Sequence, residues 1–435
     1  MNVQEIEQYL IDFHNKELPL TLKRNLEIPP TGKIKALIGP RRAGKTFFLY
    51  QLMRDLKEKK KDFLFLNFEN TKLLGITFKE IKEVISLNER LFPSKERPVL
   101  FLDEPQNINL WEKMVRELFD EGYNIFISGS SSKLLSKEIS TSLRGRSLSY
   151  LLLPFSFKEF LRVKNYELRT LLSSEQKIRL LKLMQEYLEF GGFPEVVLEN
   201  DYEQKIKNLE SYFELTIYKD IIERHKIRDS FLIKWFLKSV ASSYTKEISI
   251  NKIYLTLKSQ GRKTSKDELY SYYSMIEDSF FSFYLPKFSY SVRKREPVSK
   301  VHLCDVGFAK LLETSQDIGK KMENVAYLEL LRRKKANSDL YFWKNIQQEE
   351  VDFVIKEGNN IRELIQICKD VQDNNTKQRE ARALLKAGKE LKCKNLLIIT
   401  ENYEAEENFE WFDMKGKVTF IPLWKWLLET GKNKA

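Results

Sequence analysis

Five short, nearly continuous apolar runs fall near residues 34–38, 62–68, 98–103, 123–129 and 148–153, and between them apolar residues return at helical spacing. A strand that is apolar at successive positions, not at alternate ones, is buried on both faces, and such strands form parallel sheets joined by helical crossovers. The pattern predicts a doubly wound α/β core with a parallel sheet. A helical pattern from Val3 to His14, followed by Thr21–Leu26, reads as an adaptor packed under that core.

From about residue 155 the pattern turns helical. Gln176 to Phe190 is a long amphipathic stretch stopped by Gly191-Gly192 and Pro194, and Lys205 to Arg224 reads as a second helix. Phe231–Ala241 is helical. A short helix follows Ser249, and a capping box at Ser265–Glu268 opens Leu269–Asp278. Apolar runs at Phe281–Leu285 and Lys300–Cys304 flank a loop with Arg293, Lys294 and Arg295. Three helices followed by a hairpin with a basic tip predict a winged helix-turn-helix, which would turn Lys266, Tyr270 and Tyr273 towards a DNA groove. A protein-interaction module with a solvated hairpin is the alternative. Beyond it, a helix at Glu323–Arg332 and strands at Leu340–Trp343, Val351–Ile355, Glu363–Lys369 and Asn395–Thr400 predict a separate α/β domain.

The first apolar run ends in Gly39-Pro40-Arg41-Arg42-Ala43-Gly44-Lys45-Thr46-Phe47, which opens a helix. Strand, glycine loop and helix in this order make a P-loop. The two glycines let successive N–H groups point into one concavity, and the helix adds its positive dipole end. Lys45 is expected to reach the β- and γ-phosphates of ATP, and Thr46 to ligate Mg²⁺. The third run ends in Asp103-Glu104. Asp103 at the strand end is expected to hold the metal's hydration shell, and Glu104 to orient a water for in-line attack. Ser130, just beyond the fourth run, is placed to touch the γ-phosphate or that water, unless it belongs to a plain Ser/Gly turn. Arg146, before the fifth run, is a candidate to serve a neighbouring subunit's site in trans, the alternative being a surface arginine.

These motifs, with Leu102-Asp-Glu-Pro-Gln-Asn107, Pro154-Phe-Ser-Phe-Lys-Glu-Phe160, Glu189-Phe-Gly-Gly-Phe-Pro-Glu-Val196 and Tyr218-Lys-Asp-Ile-Ile-Glu-Arg-His225, resemble the prokaryotic, mostly archaeal, P-loop ATPases of the AAA+ superfamily that carry a C-terminal domain of unknown function. The resemblance covers nearly the whole chain. It implies an AAA+ ATPase domain with an N-terminal adaptor helix over residues 1–160, a helical lid over 161–228, a winged helix over 229–312 and a nuclease-like domain over 313–435.

That last domain resembles a restriction-endonuclease-like core, in which acids hold Mg²⁺ and a lysine steadies the nucleophilic water. Glu323, Asp352 and Gln366 match the acidic positions. Cys368 stands where the lysine belongs, and Lys369 points to the other face because strand side chains alternate. A thiol cannot replace an ammonium, so the site reads as degenerate.

Composition narrows the partners. A formal net charge of +12 favours a polyanion such as DNA, although a lysine-rich solvated surface has the same signature. Three unpaired-looking cysteines fit a reduced, cytoplasmic setting, and no apolar run reaches the roughly 18 residues of a membrane span. His302 and Cys304 could share a strand face, a pairing read as packing. The expected protein is an ATPase that couples turnover to DNA handling, with a homo-oligomer as its candidate assembly and no membrane contact. An ATP-gated switch or scaffold for a protein partner is the second reading, and an active Mg²⁺ nuclease the third.

Overall fold

A computed structural model describes residues 3–129, 143, 145–169, 171–289, 298–312 and 317–429. The chain divides into two compact units. One runs to Pro154 and includes 278–280; the other comprises 155–277 and 281 onward.

The first unit is built on β1 (Ile34–Ile38), β2 (Phe63–Asn67), β3 (Val99–Asp103), β4 (Ile125–Gly129) and β5 (Ser147–Leu151). All pair in parallel, in the order β2-β3-β4-β1-β5. The sheet is therefore the parallel one that the apolar runs predict. Its helices are Lys45–Glu58, Phe78–Leu91 and Trp111–Asp120, the second opened by a Thr77–Glu80 capping box. Leu37, Phe48, Leu49, Met53, Phe65 and Phe101 form one core cluster. The N-terminal helix Val3–Asn15 is fixed to the sheet by Tyr9, whose hydroxyl donates to Phe65 O at 3.2 Å and accepts from Asn67 N at 3.3 Å.

The second unit opens with helices Phe157–Val163, Ser174–Phe190 and Tyr202–Leu215, the last continuing as a π-helix over Thr216–Glu223. Gly191-Gly192 ends the long helix, as the sequence suggests, and also admits another residue. The Asp305 carboxylate accepts from Gly192 N and Gly307 N, both at 2.8 Å. A Cβ on Gly191 would lie 1.6 Å from Asp305 Oδ1, and one on Gly192 2.2 Å from Phe155 O. The glycine pair is thus a socket for a buried acid more than a hundred residues away in sequence.

Helices Ser230–Ser242, Ile250–Ser259 and Lys266–Asp278 follow, with β6 (Glu247–Ile248), β7 (Ser282–Pro286) and β8 (Ser299–Leu303) forming an antiparallel sheet in the order β6-β8-β7. The basic residues Arg293, Lys294 and Arg295 lie outside the described residues. One expectation fails here. Tyr273 does not face a groove: its ring stacks on Tyr284 at 3.6 Å between centroids, and its carbonyl accepts from the Tyr284 hydroxyl. An aromatic face at helical spacing has gone to packing. Lys266 is exposed and Tyr270 half-buried.

The chain ends in a six-stranded sheet of β9 (Ser338–Lys344), β10 (Glu350–Glu357), β11 (Asn360–Ile367), β12 (Leu396–Thr400), β13 (Ala405–Trp411) and β14 (Met414–Pro422), ordered β13-β14-β12-β11-β10-β9. β13 and β14 exceed the four strands expected, because their alternating, half-exposed pattern is weaker than a continuous apolar run. Among the described residues no helix is long and apolar enough to cross a membrane.

Candidate nucleotide site

The P-loop sits at the C-terminal end of β1, whose five residues are all buried. Gly39 has φ +150°, and a Cβ there would lie 2.1 Å from Leu152 O, so only glycine passes. Gly44, at φ +92°, caps the helix Lys45–Glu58 with no side-chain hydrogen bond, and no acid stands in the helix's first turn. A helix start without a competing carboxylate is suited to an anion. Arg42 also adopts a left-handed backbone, at φ 65°. Lys45 is buried, and its Nζ donates to Gly39 O at 3.1 Å and Pro40 O at 2.9 Å. The ammonium therefore lies folded over its own loop, close to where phosphates would enter.

Behind the loop, Thr46 Oγ1 donates to Asp103 Oδ2 at 2.8 Å, and Ser128 Oγ donates to Asp103 Oδ1. The register explains this convergence: Asp103 on β3 is paired with Ser128 on β4. Burial raises the pKa of Asp103, while the hydroxyls of Ser128 and Thr46 and the charge of Lys45 pull it back. Thr46 and Asp103 thus offer adjacent oxygens at the end of the P-loop, a donor set that fits Mg²⁺.

Glu104 is buried in a left-handed backbone conformation, φ 54°. Its N–H donates to Ser128 O at 2.8 Å, and its carboxylate accepts from Gln106 Nε2. Burial raises its pKa, opposed first by Lys45.

The structure adds residues that no motif announces. Arg24 is buried and donates to Ala43 O of the P-loop at 2.9 Å and to Leu153 O at 2.6 Å. Ser128 could have been anticipated as a hydroxyl at a strand end; Arg24, a lone arginine in an adaptor, could not. Pro40, Arg41 and Phe47 lie where the motif places them. Arg41 pairs with Glu69 at 3.5 Å, and Phe47 is exposed. Ser130 lies outside the described residues, one position beyond Gly129, which pairs with Ile38 at the P-loop end of the sheet. Arg146 is at the sheet's other end: Ser147 pairs with Ile34, and the Arg146 guanidinium bonds Asp120 at 3.2 Å. The five-residue strand length puts about 16 Å between it and its own P-loop.

In the C-terminal domain the predicted acids do meet. Glu323 and Asp352 both bond Lys300 Nζ, at 2.9 and 2.8 Å, with Glu350 at 2.5 Å. Gln366 stands behind them, accepting from Asp352 N at 3.2 Å and donating to Glu380 at 2.9 Å. Cys368 is buried, its Sγ bonding Asp370 O, and burial pushes its thiol pKa up to about 11.

Residues 31–161 match the family described as an AAA domain, 181–318 a domain of unknown function (DUF8612), and 318–426 a second such domain (DUF4143). The protein MJ1544 of Methanocaldococcus jannaschii is 40% identical over 94% of this chain and 91% of its own length. A Haemophilus influenzae protein is 28% identical over 94% of this chain and 97% of its own. Among solved structures, Cdc6p from Pyrobaculum aerophilum matches 73% of this chain and 93% of that chain at 14% identity, with a TM-score of 0.26, too low for any inference to rest on it.

Proposed function

This chain belongs to the family of MJ1544, P-loop AAA+ ATPases with a C-terminal domain of unknown function, and on that premise we propose that it hydrolyses ATP with Mg²⁺ and couples the turnover to DNA binding. The observation that carries the ATPase reading is the convergence of Thr46 and Ser128 on Asp103, with Glu104 on the adjoining turn. Phosphates bind in the loop Gly39–Thr46, and Lys45 exchanges the carbonyls of Gly39 and Pro40 for their oxygens. Thr46 and Asp103 hold Mg²⁺, which, when bound, neutralises charge on the β- and γ-phosphates. Glu104 orients the attacking water and takes its proton, with Gln106 fixing the carboxylate until the water arrives. Arg24 keeps the loop in shape by holding Ala43 O.

The DNA part is supported by the order of elements in residues 229–312, three helices with a small antiparallel sheet, an arrangement that suits a winged helix-turn-helix, and by exposed cations between two of those helices. Lys258, Arg262, Lys263 and Lys266 cluster at the turn joining helices Ile250–Ser259 and Lys266–Asp278. The second helix also carries Asp267, Glu268, Glu277 and Asp278, which a phosphate backbone would repel. That acidity favours the second reading, an ATP-gated switch for a protein partner, and moves the expected DNA contact to the basic turn.

Two measurements test the proposal. Glu104→Gln should keep ATP binding and lose hydrolysis, whereas Lys45→Ala should lose binding. Replacing the four turn cations with Ala should flatten the plot of log DNA affinity against log salt by about 0.9 per phosphate contact removed. Native hydrolysis by Glu104→Gln would discard the assigned base. A parent protein without salt-dependent DNA binding would leave the protein-partner reading in place.

A further inference from the structure

The resemblance of the C-terminal domain to restriction endonucleases implies a divalent metal among Glu323, Asp352 and their neighbours, and the residues present do not fit one. We propose instead that Lys300 is the resident cation of this cluster. Its ammonium stands where the metal would, and it closes the domain to Mg²⁺. The inference is independent of the ATPase reading.

The geometry leaves little room for another ion. An ammonium has three protons and no acceptor. Lys300 Nζ meets Glu350 at 2.5 Å, Asp352 at 2.8 Å and Glu323 at 2.9 Å, so each proton has its own carboxylate. Lys300 is only 2% exposed. A divalent metal would need the same oxygens at about 2.0–2.6 Å, a position that overlaps the nitrogen. The second oxygen of Asp352 is also engaged, accepting from Ile367 N at 2.9 Å. Among the described residues no group of three or more His, Cys, Asp or Glu side chains is arranged to hold a metal.

Nor is Lys300 the nuclease lysine supplied from a new position. That lysine must keep a proton for the nucleophilic water beside the metal. Here all three protons go to carboxylates. The lysine also cannot retreat easily. Lys300 is in register with Glu247 on β6 and Leu285 on β7, so its backbone is held from both sides of the small sheet. Burial works against its charge, yet Asp352, Glu323 and Glu350 hold its pKa well above the ordinary lysine value. The same residue therefore compensates buried acids and joins β8 to the six-stranded sheet.

Removing the ammonium should open the three acids to a metal. The vacated space would face three carboxylates and His302, a fully buried imidazole whose Nε2 lies 3.7 Å from Glu323 Oε1, with no hydrogen bond at either ring nitrogen. Carboxylate oxygens suit Mn²⁺.

The test is Mn²⁺ titration by electron paramagnetic resonance, without nucleotide, in full-length protein carrying Asp103→Asn to silence the P-loop. With Lys300 intact, no Mn²⁺ site in the second unit and equal unfolding temperatures in EDTA and Mn²⁺ are expected. With Lys300→Ala added, the protein should unfold earlier in EDTA, bind one Mn²⁺, and regain several degrees when the metal saturates it. Lys300→Met serves if the alanine variant does not fold, and the titration of the Lys300 protein is decisive without either. Mn²⁺ binding by the Lys300 protein that Asp352→Asn abolishes would overturn the proposal. So would Mg²⁺-dependent DNA cleavage lost with Asp352→Asn, or a folded Lys300→Ala that gains no site.

Discussion

Gly191 and Gly261 offer a matched pair of substitutions. Both have positive φ, +76° and +73°, but a Cβ on Gly261 would meet nothing within 4 Å, whereas one on Gly191 would lie 1.6 Å from Asp305 Oδ1. Alanine at Gly261 incurs a positive-φ penalty of about 1–2 kcal/mol, and at Gly191, whose ψ of −158° is a conformation nearly confined to glycine, at least as much. At Gly191 the carboxylate must also move, which strands the buried N–H groups of Gly192 and Gly307. Above pH about 7, where Asp305 is ionised, hydrogen bonds to it contribute about 1.5–3 kcal/mol each, so the added cost there is about 3–6 kcal/mol. Gly191→Ala should therefore destabilise the second unit by about 4–8 kcal/mol, against about 1–2 for Gly261→Ala. Urea unfolding followed by tryptophan fluorescence reads this unit, because it contains Trp235, Trp343, Trp411, Trp424 and Trp426, while Trp111 alone lies in the other. Adding Asp305→Ala to Gly191→Ala should cost less than the two single effects combined, since the first change already breaks the bonds the second removes. Equal shifts for Gly191→Ala and Gly261→Ala would refute the socket.

Burial raises Asp305 from an ordinary 3.8 to about 7, against the pull of the Gly192 and Gly307 N–H groups. The folded state then holds a proton that the unfolded chain has released, so this group removes stability as pH rises from about 4 to about 7. Asp305→Asn should flatten that part of the stability–pH curve, checked by urea midpoints at either end of the window; an unchanged slope would show that Asp305 ionises normally. For Arg146, whose guanidinium lies far from its own P-loop, any part in turnover must be in trans. Arg146→Ala should then lose turnover with ATP affinity intact, and mixing it with Glu104→Gln subunits should restore some activity; no rescue, with a monomer by light scattering, would discard the idea.

The candidate nucleotide site was largely legible because its residues lie close to strand ends in sequence. Lys45 and Thr46 open the helix after the loop that follows β1, Asp103 ends β3 and Glu104 follows it, and a strand end can be recognised from a buried apolar run followed by small or acidic residues. The parallel sheet was legible for the same reason. What escaped was contact across long sequence separations. Cys368 is local to the strand that carries it, but nothing local shows that an ammonium reaches the acids from Lys300, which is 52 residues from Asp352. Gly191-Gly192 looked like a helix stop because its other role depends on Asp305. Tyr273 was misassigned to a groove because helical spacing marks a face without showing what covers it; Tyr284 does.

The arm before β1 bears on where such a protein ends and begins. Similarity to the AAA domain starts at residue 31, yet Arg24 reaches to the P-loop and to Leu153, two residues beyond β5, and Tyr9 secures the edge strand β2. A cut at the similarity boundary would spare every motif while removing the brace that shapes the loop and the latch on the sheet's rim. The stretch that matches the AAA domain and the stretch that stands up mechanically are different objects, and in this chain they differ by the N-terminal arm.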